Sequence, residues 1–303
     1  MGIFSFLRRD YNLDFVKYNK LAMVLFAVLS CAAIAVLATK PLNYGIDFRG
    51  GLLIEVRSVA GFDVERVRSS LGQVVSDFDL QTIGEGTNDL MIRALDMSES
   101  EEMQTETLEK IRGVLGYNIE YRRVEMVGPK VGEELKFNSM LAASFSILAI
   151  ALYIWFRFEW QFALGAMVSL TFNVLMTLSL IVMRGITFDL TTVAAILTVV
   201  GYSINDTIVL YDRLRENLHK HRKMAMPSLI NKSINENIVR TILTGATTLA
   251  ACASLLWVGG PALHPFAFTL FVGVLIGVYS SIYVAVPVAA LFDIKKTMEN
   301  KEG

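Results

Sequence analysis

Charged side chains are missing from long stretches of this chain, and the gaps between them predict its elements. Residues 21–39 are uncharged and follow Arg8, Arg9, Lys17 and Lys20; residues 137–156 lie between Lys136 and Arg157; residues 160–183 form a third apolar run. A fourth, 190–210, is apolar apart from one acid well inside it, Asp206. From Thr241 to Phe292, 52 consecutive residues contain no Asp, Glu, Lys or Arg. Gly259-Gly260-Pro261 breaks that region into spans at 238–258 and 265–292. A helix of about 20 apolar residues crosses a bilayer, so six crossings are expected. Val36-Leu37-Ala38 resembles a signal cleavage site, but the run before it exceeds the ~7–15 apolar residues of a signal, so it reads as a span.

Orientation follows from the short connections. Lys and Arg cluster in 1–20, in 211–237 (Arg213, Arg215, Lys220, Arg222, Lys223, Lys232) and in 293–303 (Lys295, Lys296, Lys301). The loop after the third span has Arg184 alone, and 259–264 has none. The positive-inside rule puts both termini and 211–237 in the cytoplasm, with 40–136 outside. The 211–237 segment reads as amphipathic, with Met224, Met226, Leu229 and Ile230 against lipid headgroups.

Within 40–136 the periodicity changes. Leu52, Ile54 and Val56 alternate with Leu53, Glu55 and Arg57 as in a half-buried strand, and Val64, Val67 and Leu71 recur at helical spacing. Strand-like runs follow at 80–82 and 90–94, with Gly84-Glu85-Gly86 as the turn between them. Ser98 and Glu101 form a capping-box pattern ahead of a helix carrying Leu108, Ile111 and Leu115. Ile119 and Tyr121 mark a last strand before Gly128-Pro129. The order βαββαβ predicts an α+β, ferredoxin-like external domain between the first and second membrane helices. With no histidine before residue 219 and no cysteine in the domain, a docking surface is expected there rather than a small-molecule pocket; Asp47 and Arg49 read as part of a turn into the first strand.

Composition agrees. Hydrophobic residues make up 53% and charged residues 19% of the 303-residue chain, which excludes a soluble enzyme. Lys plus Arg is 28 and Asp plus Glu 29, a net charge of −1, so nothing draws this chain to nucleic acid. Cys31 and Cys252 both fall in apolar runs and predict no disulfide framework. His219-Lys220-His221 is too few ligands for a metal site.

The chemistry concentrates at Asp206. It precedes Arg213 by seven residues, which places it ~10 Å inside the first cytoplasmic arginine. A carboxylate at the centre of a bilayer costs at least ~2.5–3.5 kcal/mol, so such groups face the bundle and mark ion or proton pathways. Arg240 lies near the start of the fifth span, where its long side chain would reach inward. Thr244 is one turn further along the same face. Burial and a guanidinium act in opposite senses on a carboxyl's proton affinity, so motion of Arg240 relative to Asp206 would load and release a proton. Asn205 and Ser203 would support hydrogen bonds along the route. Each proton crossing supplies ~2.3 kcal/mol per 100 mV, enough to bias a two-state rearrangement. The ordinary alternatives are an Asp206 paired near the headgroups and an Arg240 that snorkels to the interface. Gly273 and Gly277 form a GxxxG pattern, read as helix packing.

Several motifs carry a family resemblance. Gly45-Ile46-Asp47-Phe48-Arg49-Gly50-Gly51 and Val127-Gly128-Pro129-Lys130-Val131-Gly132-Glu133-Glu134-Leu135 resemble the segments bracketing the external domain in the SecD/SecF family. Val200-Gly201-Tyr202-Ser203-Ile204-Asn205-Asp206-Thr207-Ile208-Val209, followed by Tyr211-Asp212-Arg213-Leu214-Arg215-Glu216-Asn217, closely resembles the fourth-span motif of that family's SecF branch. Ser233-Ile234-Asn235-Glu236-Asn237 before Arg240-Thr241 matches as well, and the resemblance runs from about residue 11 to 294. It implies an accessory subunit of the protein-export machinery in the bacterial inner membrane, within the resistance-nodulation-division superfamily. It also implies SecD, the SecYEG channel and YajC as partners and a preprotein as substrate. By position, Asp206, Arg240 and Thr244 match the family's proton-relay residues. No P-loop is present, which is consistent with protons rather than nucleotide as the coupling species that the resemblance implies, and no cofactor is expected. Two other readings stay open: a non-conducting assembly scaffold, and a small-molecule exporter of the same superfamily.

Overall fold

The computed structural model describes residues 12–83, 86–95, 101–116, 119–292 and 294. Its chain forms two compact units, one helical (to residue 42, 143–186, and 191 onward) and one carrying the sheet (43–142 with 187–190), which contains the domain expected to be external and is named the external unit for that expectation. The Gly84-Glu85 part of the expected turn and the Ser98 half of the expected capping box lie outside the described residues.

Helices α1 (Asn19–Thr39), α5 (Pro129–Arg157), α6 (Trp160–Met183), α7 (Leu190–Lys220) and α8 (Met226–Val258) are each long and apolar enough to cross a membrane. So is a sixth path through α9 (Gly260–Ser280), a π-helical turn (Ser281–Ala285) and α10 (Val286–Ala290). In the sixth path 61% of the most apolar window is buried in protein, against 6% in α5 and 11% in α1. The sixth path is therefore central, and α1 and α5 turn most of their apolar surface outward, as residues facing lipid or a partner would.

One core cluster gathers Phe162 and Ala166 of α6, Leu210, Tyr211 and Leu214 of α7, Ile234 and Ile238 of α8, and Ala285 and Ala289 of the sixth path. The connection after α7 differs from expectation. α7 runs on to Lys220, and α8 starts at Met226 with a proline in its first turn, where the missing N–H costs no helical bond. Leu229 and Ile230 are buried in the core with Met224 and Met226 packed against it, so these apolar residues cover protein rather than headgroups. The N-terminal segment is fastened to α8 by side-chain amides that imitate a strand partner. Asn235 accepts from the Leu13 N–H (2.9 Å) and donates to the Leu13 carbonyl (2.8 Å), while Asn231 accepts from the Val16 N–H (3.0 Å).

The external unit contains α2 (Ile46–Arg49), β1 (Gly51–Arg57), α3 (Val64–Leu71), β2 (Phe78–Thr82), β3 (Asp89–Ala94), α4 (Glu101–Leu115) and β4 (Glu120–Val127). The strands form one antiparallel sheet in the order β2-β3-β1-β4, with Ile54 of β1 opposite Ile92 on one side and Val124 on the other. Asp63 caps α3 by accepting from the Arg66 N–H. Leu52, Ile54 and Val56 are buried with Leu71, Leu90, Ile92 and Ile111, so α3 and α4 cover this face of the sheet. The opposite face is ionic. Arg57 bonds Asp89 at 2.6 Å, Arg93 reaches Asp79 at 3.2 Å, and Arg123 meets Glu125 at 2.7 Å. Buried Glu55 has its pKa raised, chiefly by burial and against the pull of Arg123.

Candidate functional site

Asp206 lies in the middle of α7, and its two carboxylate oxygens have different fates. Oδ1 accepts a 2.8 Å hydrogen bond from the Thr241 hydroxyl of α8. Oδ2 is buried with no hydrogen-bond partner among the described residues, and the Tyr202 hydroxyl, one turn earlier, is in the same condition. Buried polar atoms are nearly always paired, because leaving one unpaired costs about 1–3 kcal/mol. An unpaired carboxylate oxygen inside an apolar helix is therefore a strong marker of function.

The other expected residues are not gathered onto this carboxylate. Arg240 is exposed and makes no ion pair among the described residues. Thr244 is exposed too, its hydroxyl donating to the Arg240 carbonyl at 2.9 Å, and Asn205 faces outward next to Asp206. The reason is angular. Successive helical residues point ~100° apart, so Arg240 and Thr241 cannot share a face. The buried stripe of α8 runs through Ile234, Ile238, Thr241, Gly245 and Cys252. Thr241, the residue that meets Asp206, is a polar member of that stripe, as Ser233 is about two turns earlier, and its place among apolar neighbours is the signal that would have found it. Arg240 and Thr244 belong to the exposed face beside it, just as Thr198, Gly201 and Asn205 form an exposed line on α7.

A second polar cluster escaped the charge-gap reading because it is uncharged. Asn173 of α6 is fully buried, its amide oxygen accepting from Thr177 at 3.3 Å, while its Nδ2 has no partner among the described residues. A Cβ on Gly277 of α9 would stand 3.1 Å from that Nδ2 and 3.4 Å from the Ser203 hydroxyl of α7. The GxxxG pattern thus does pack helices: Gly273 lies against the apolar side chain of Val199, and Gly277 against the polar pair Asn173 and Ser203. Below Asp206 the fully buried Tyr211 donates to the Ala285 carbonyl at 2.9 Å, at the end of the π-helical turn. Beyond it Arg157 pairs with Asp212 (2.7 Å) and Arg213 with Glu236 (2.7 Å).

In the external unit Asp47 accepts from the backbone N–H of Leu190 at 3.1 Å. Its pKa is raised, mainly by burial and further by Asp189 and Glu125, against the Leu190 bond and Arg123. Arg49 comes within 3.9 Å of Asp77 with both side chains about half exposed, a contact worth little. Among the described residues no group of three His, Cys, Asp or Glu side chains could hold a metal ion.

Comparison with known proteins covers nearly the whole chain. A family model described as protein export membrane protein SecD/SecF, C-terminal, matches residues 107–295, and one for the SecD/SecF GG motif matches 35–59. A protein translocase subunit SecF from Rickettsia rickettsii is 40% identical over 291 residues, covering 94% of each chain. Another, from Rickettsia bellii, is 40% identical over 295 residues, covering 96% of each. Among solved structures, SecDF from Thermus thermophilus, a translocon-associated membrane protein, matches with a TM-score of 0.80 and 32% identity. That match covers 93% of this chain but only 39% of the SecDF chain.

Proposed function

Because this chain belongs to the SecD/SecF family of protein export membrane proteins, we propose that it serves as an accessory subunit of the bacterial protein-export machinery. In this role it pairs with SecD beside the SecYEG channel, with YajC as a further partner, and couples proton flow to movement of the external domain. The chain would lie in the inner membrane with both termini cytoplasmic and the sheet domain periplasmic. A ferredoxin-like fold is the natural description of that domain, whose βαββαβ element order accompanies the strand order β2-β3-β1-β4. Protons are the coupling ion, no cofactor takes part, and the role is transport rather than catalysis.

The observation that carries this reading is the unpaired Asp206 Oδ2, held inside the helix bundle while Thr241 fixes the other oxygen. A carboxylate with one fixed oxygen and one free one can take and give a proton without losing its position. The exposed Asn205 and Arg240 are each next in sequence to one partner of the Asp206–Thr241 bond. We place the SecD surface there, so that Arg240 and Thr244 join the relay when the two subunits are assembled. The test is proton-gradient-dependent stimulation of preprotein transport in membrane vesicles. Asp206→Asn is expected to abolish the stimulation while the complex stays assembled. Unchanged stimulation would falsify proton coupling through this residue, and loss of the complex itself would favour the scaffold.

A further inference from the structure

The two glycine-bearing motifs of the sequence meet inside the external unit, and a third segment joins them. Gly50 has φ of 74°, and a Cβ there would lie 2.7 Å from the Pro129 Cα; a Cβ on Gly132 would lie 2.9 Å from the Gly50 nitrogen. The α2 segment and the start of α5 are therefore in backbone contact, which only glycine permits.

The third segment is 187–190, the connection between α6 and α7, which groups with the external unit although its flanks belong to the helical one. It runs beside residues 43–45 and joins them through a single parallel bridge between Tyr44 and Phe188. The Phe188 N–H donates to Asn43 (2.7 Å), and the Gly45 N–H donates to Phe188 (3.0 Å). The Phe188 ring lies 6.0 Å from that of Tyr44 and 5.8 Å from that of Phe48. The Asp47 carboxylate then takes the N–H of Leu190, the first residue of α7, whose donor has no partner within its own helix. This carboxylate comes from a residue 143 positions away in sequence. An ordinary capping residue is the neighbour just before the helix, so here the cap fastens α7 to a different part of the chain.

From this juxtaposition we propose that Asp47 is a coupling residue: it binds the first turn of α7 to the α2 segment, so that displacement of the external domain is carried into the helix that bears Asp206. The proposal rests on the proton-coupled function above and adds the mechanical link that function requires. Without the link, a proton arriving at Asp206 and a movement of the sheet would be separate events.

The experiment uses the full chain assembled with its partner subunit in membrane vesicles. Asp47→Ala removes the acceptor. Leu190→Pro removes the donor at a position where helices accept proline. Each is expected to lower proton-dependent transport stimulation at least about fivefold, the lower end of ordinary coupling energies, with assembly intact. The double variant is expected to lose no more than either single one, since both break the same bond. In a Cys31→Ser, Cys252→Ser background, Tyr44→Cys with Phe188→Cys puts thiols on bridge-paired residues about 5 Å apart, within disulfide reach. The oxidised bridge should restore stimulation to Asp47→Ala, and reductant should remove it again. If both single variants keep full stimulation while Asp206→Asn loses it, the link is refuted and proton coupling stands. If Asp206→Asn also keeps it, the proton-coupled function itself fails. Stimulation that is lost and not restored by the bridge overturns the proposal as well.

Discussion

Gly165 of α6 offers a direct test of how the helical core is built. A Cβ there would stand 2.6 Å from the Tyr211 hydroxyl and 3.1 Å from the Ala289 nitrogen, and would press harder still on the Ala285 carbonyl. Two of these three atoms are backbone, so no rotamer change relieves the contact. Gly165→Ala gains about 1 kcal/mol of helix propensity and loses about 1–3 kcal/mol to overpacking. Gly201→Ala in α7, with nothing within 4 Å of its Cβ, gains the propensity alone. The difference between the two variants therefore isolates the overpacking, about 1–3 kcal/mol. At roughly 2–4 °C per kcal/mol for a chain of this size class, Gly165→Ala should melt some 2–12 °C below Gly201→Ala. The assay is thermal unfolding of the detergent-solubilised chain without its partner. Tyr211→Phe refines it, because removing the hydroxyl lifts one of the three contacts. The double variant should lose less than the sum of the singles by about 0.5 kcal/mol or more. Gly165→Ala melting at or above Gly201→Ala would refute the close packing of α6 against the π-helical turn.

Two further expectations follow from the same geometry. Thr241→Val keeps the shape of the side chain but removes the hydroxyl on Asp206, so proton-dependent stimulation should fall clearly, whereas Ser254→Ala, whose hydroxyl bonds only the Ala250 carbonyl of its own helix, should change it little; equal losses would count against Thr241 as the fixing group. Glu55 has a raised folded-state pKa, so its contribution to stability is fully present below the unfolded pKa and is lost as pH rises through the folded one. Glu55→Gln should accordingly raise the melting temperature of the full chain near neutral pH, with the gain shrinking to nothing towards about pH 4; a gain that grows on acidification would show the sign to be wrong.

How much was legible in the sequence depends on what lipid and protein each exclude. Charges are costly in a bilayer, so the gaps between them reveal apolar helices directly, and a lone acid such as Asp206 stands out. Where charges resume, the apolar run ends but the helix need not, which is why α7 continues to Lys220. An apolar stripe announces burial without naming what covers it, and Leu229 and Ile230 turn out to face the core. Spacing placed Arg240 and Thr244 on one face correctly, but which face of α8 meets α7 is decided by packing between helices, and there Thr241 is the contact. Asn173 is invisible to a reading built on charge. The tie from Asp47 to Leu190 joins residues 143 positions apart and uses a backbone donor, which no side-chain pattern encodes.

The amides of Asn231 and Asn235 grip the backbone of the N-terminal segment at Val16 and Leu13, and the only side chain they hold there among the described residues is that of Asp14, which accepts from Asn231 at 2.7 Å. Leu13 is 51% exposed, so its identity is free to drift as long as its N–H and carbonyl stay in place. Proline is the exception, since it has no N–H to give. Selection at this position would therefore act against a single residue type, and the specificity of the attachment resides in two asparagines more than two hundred residues downstream.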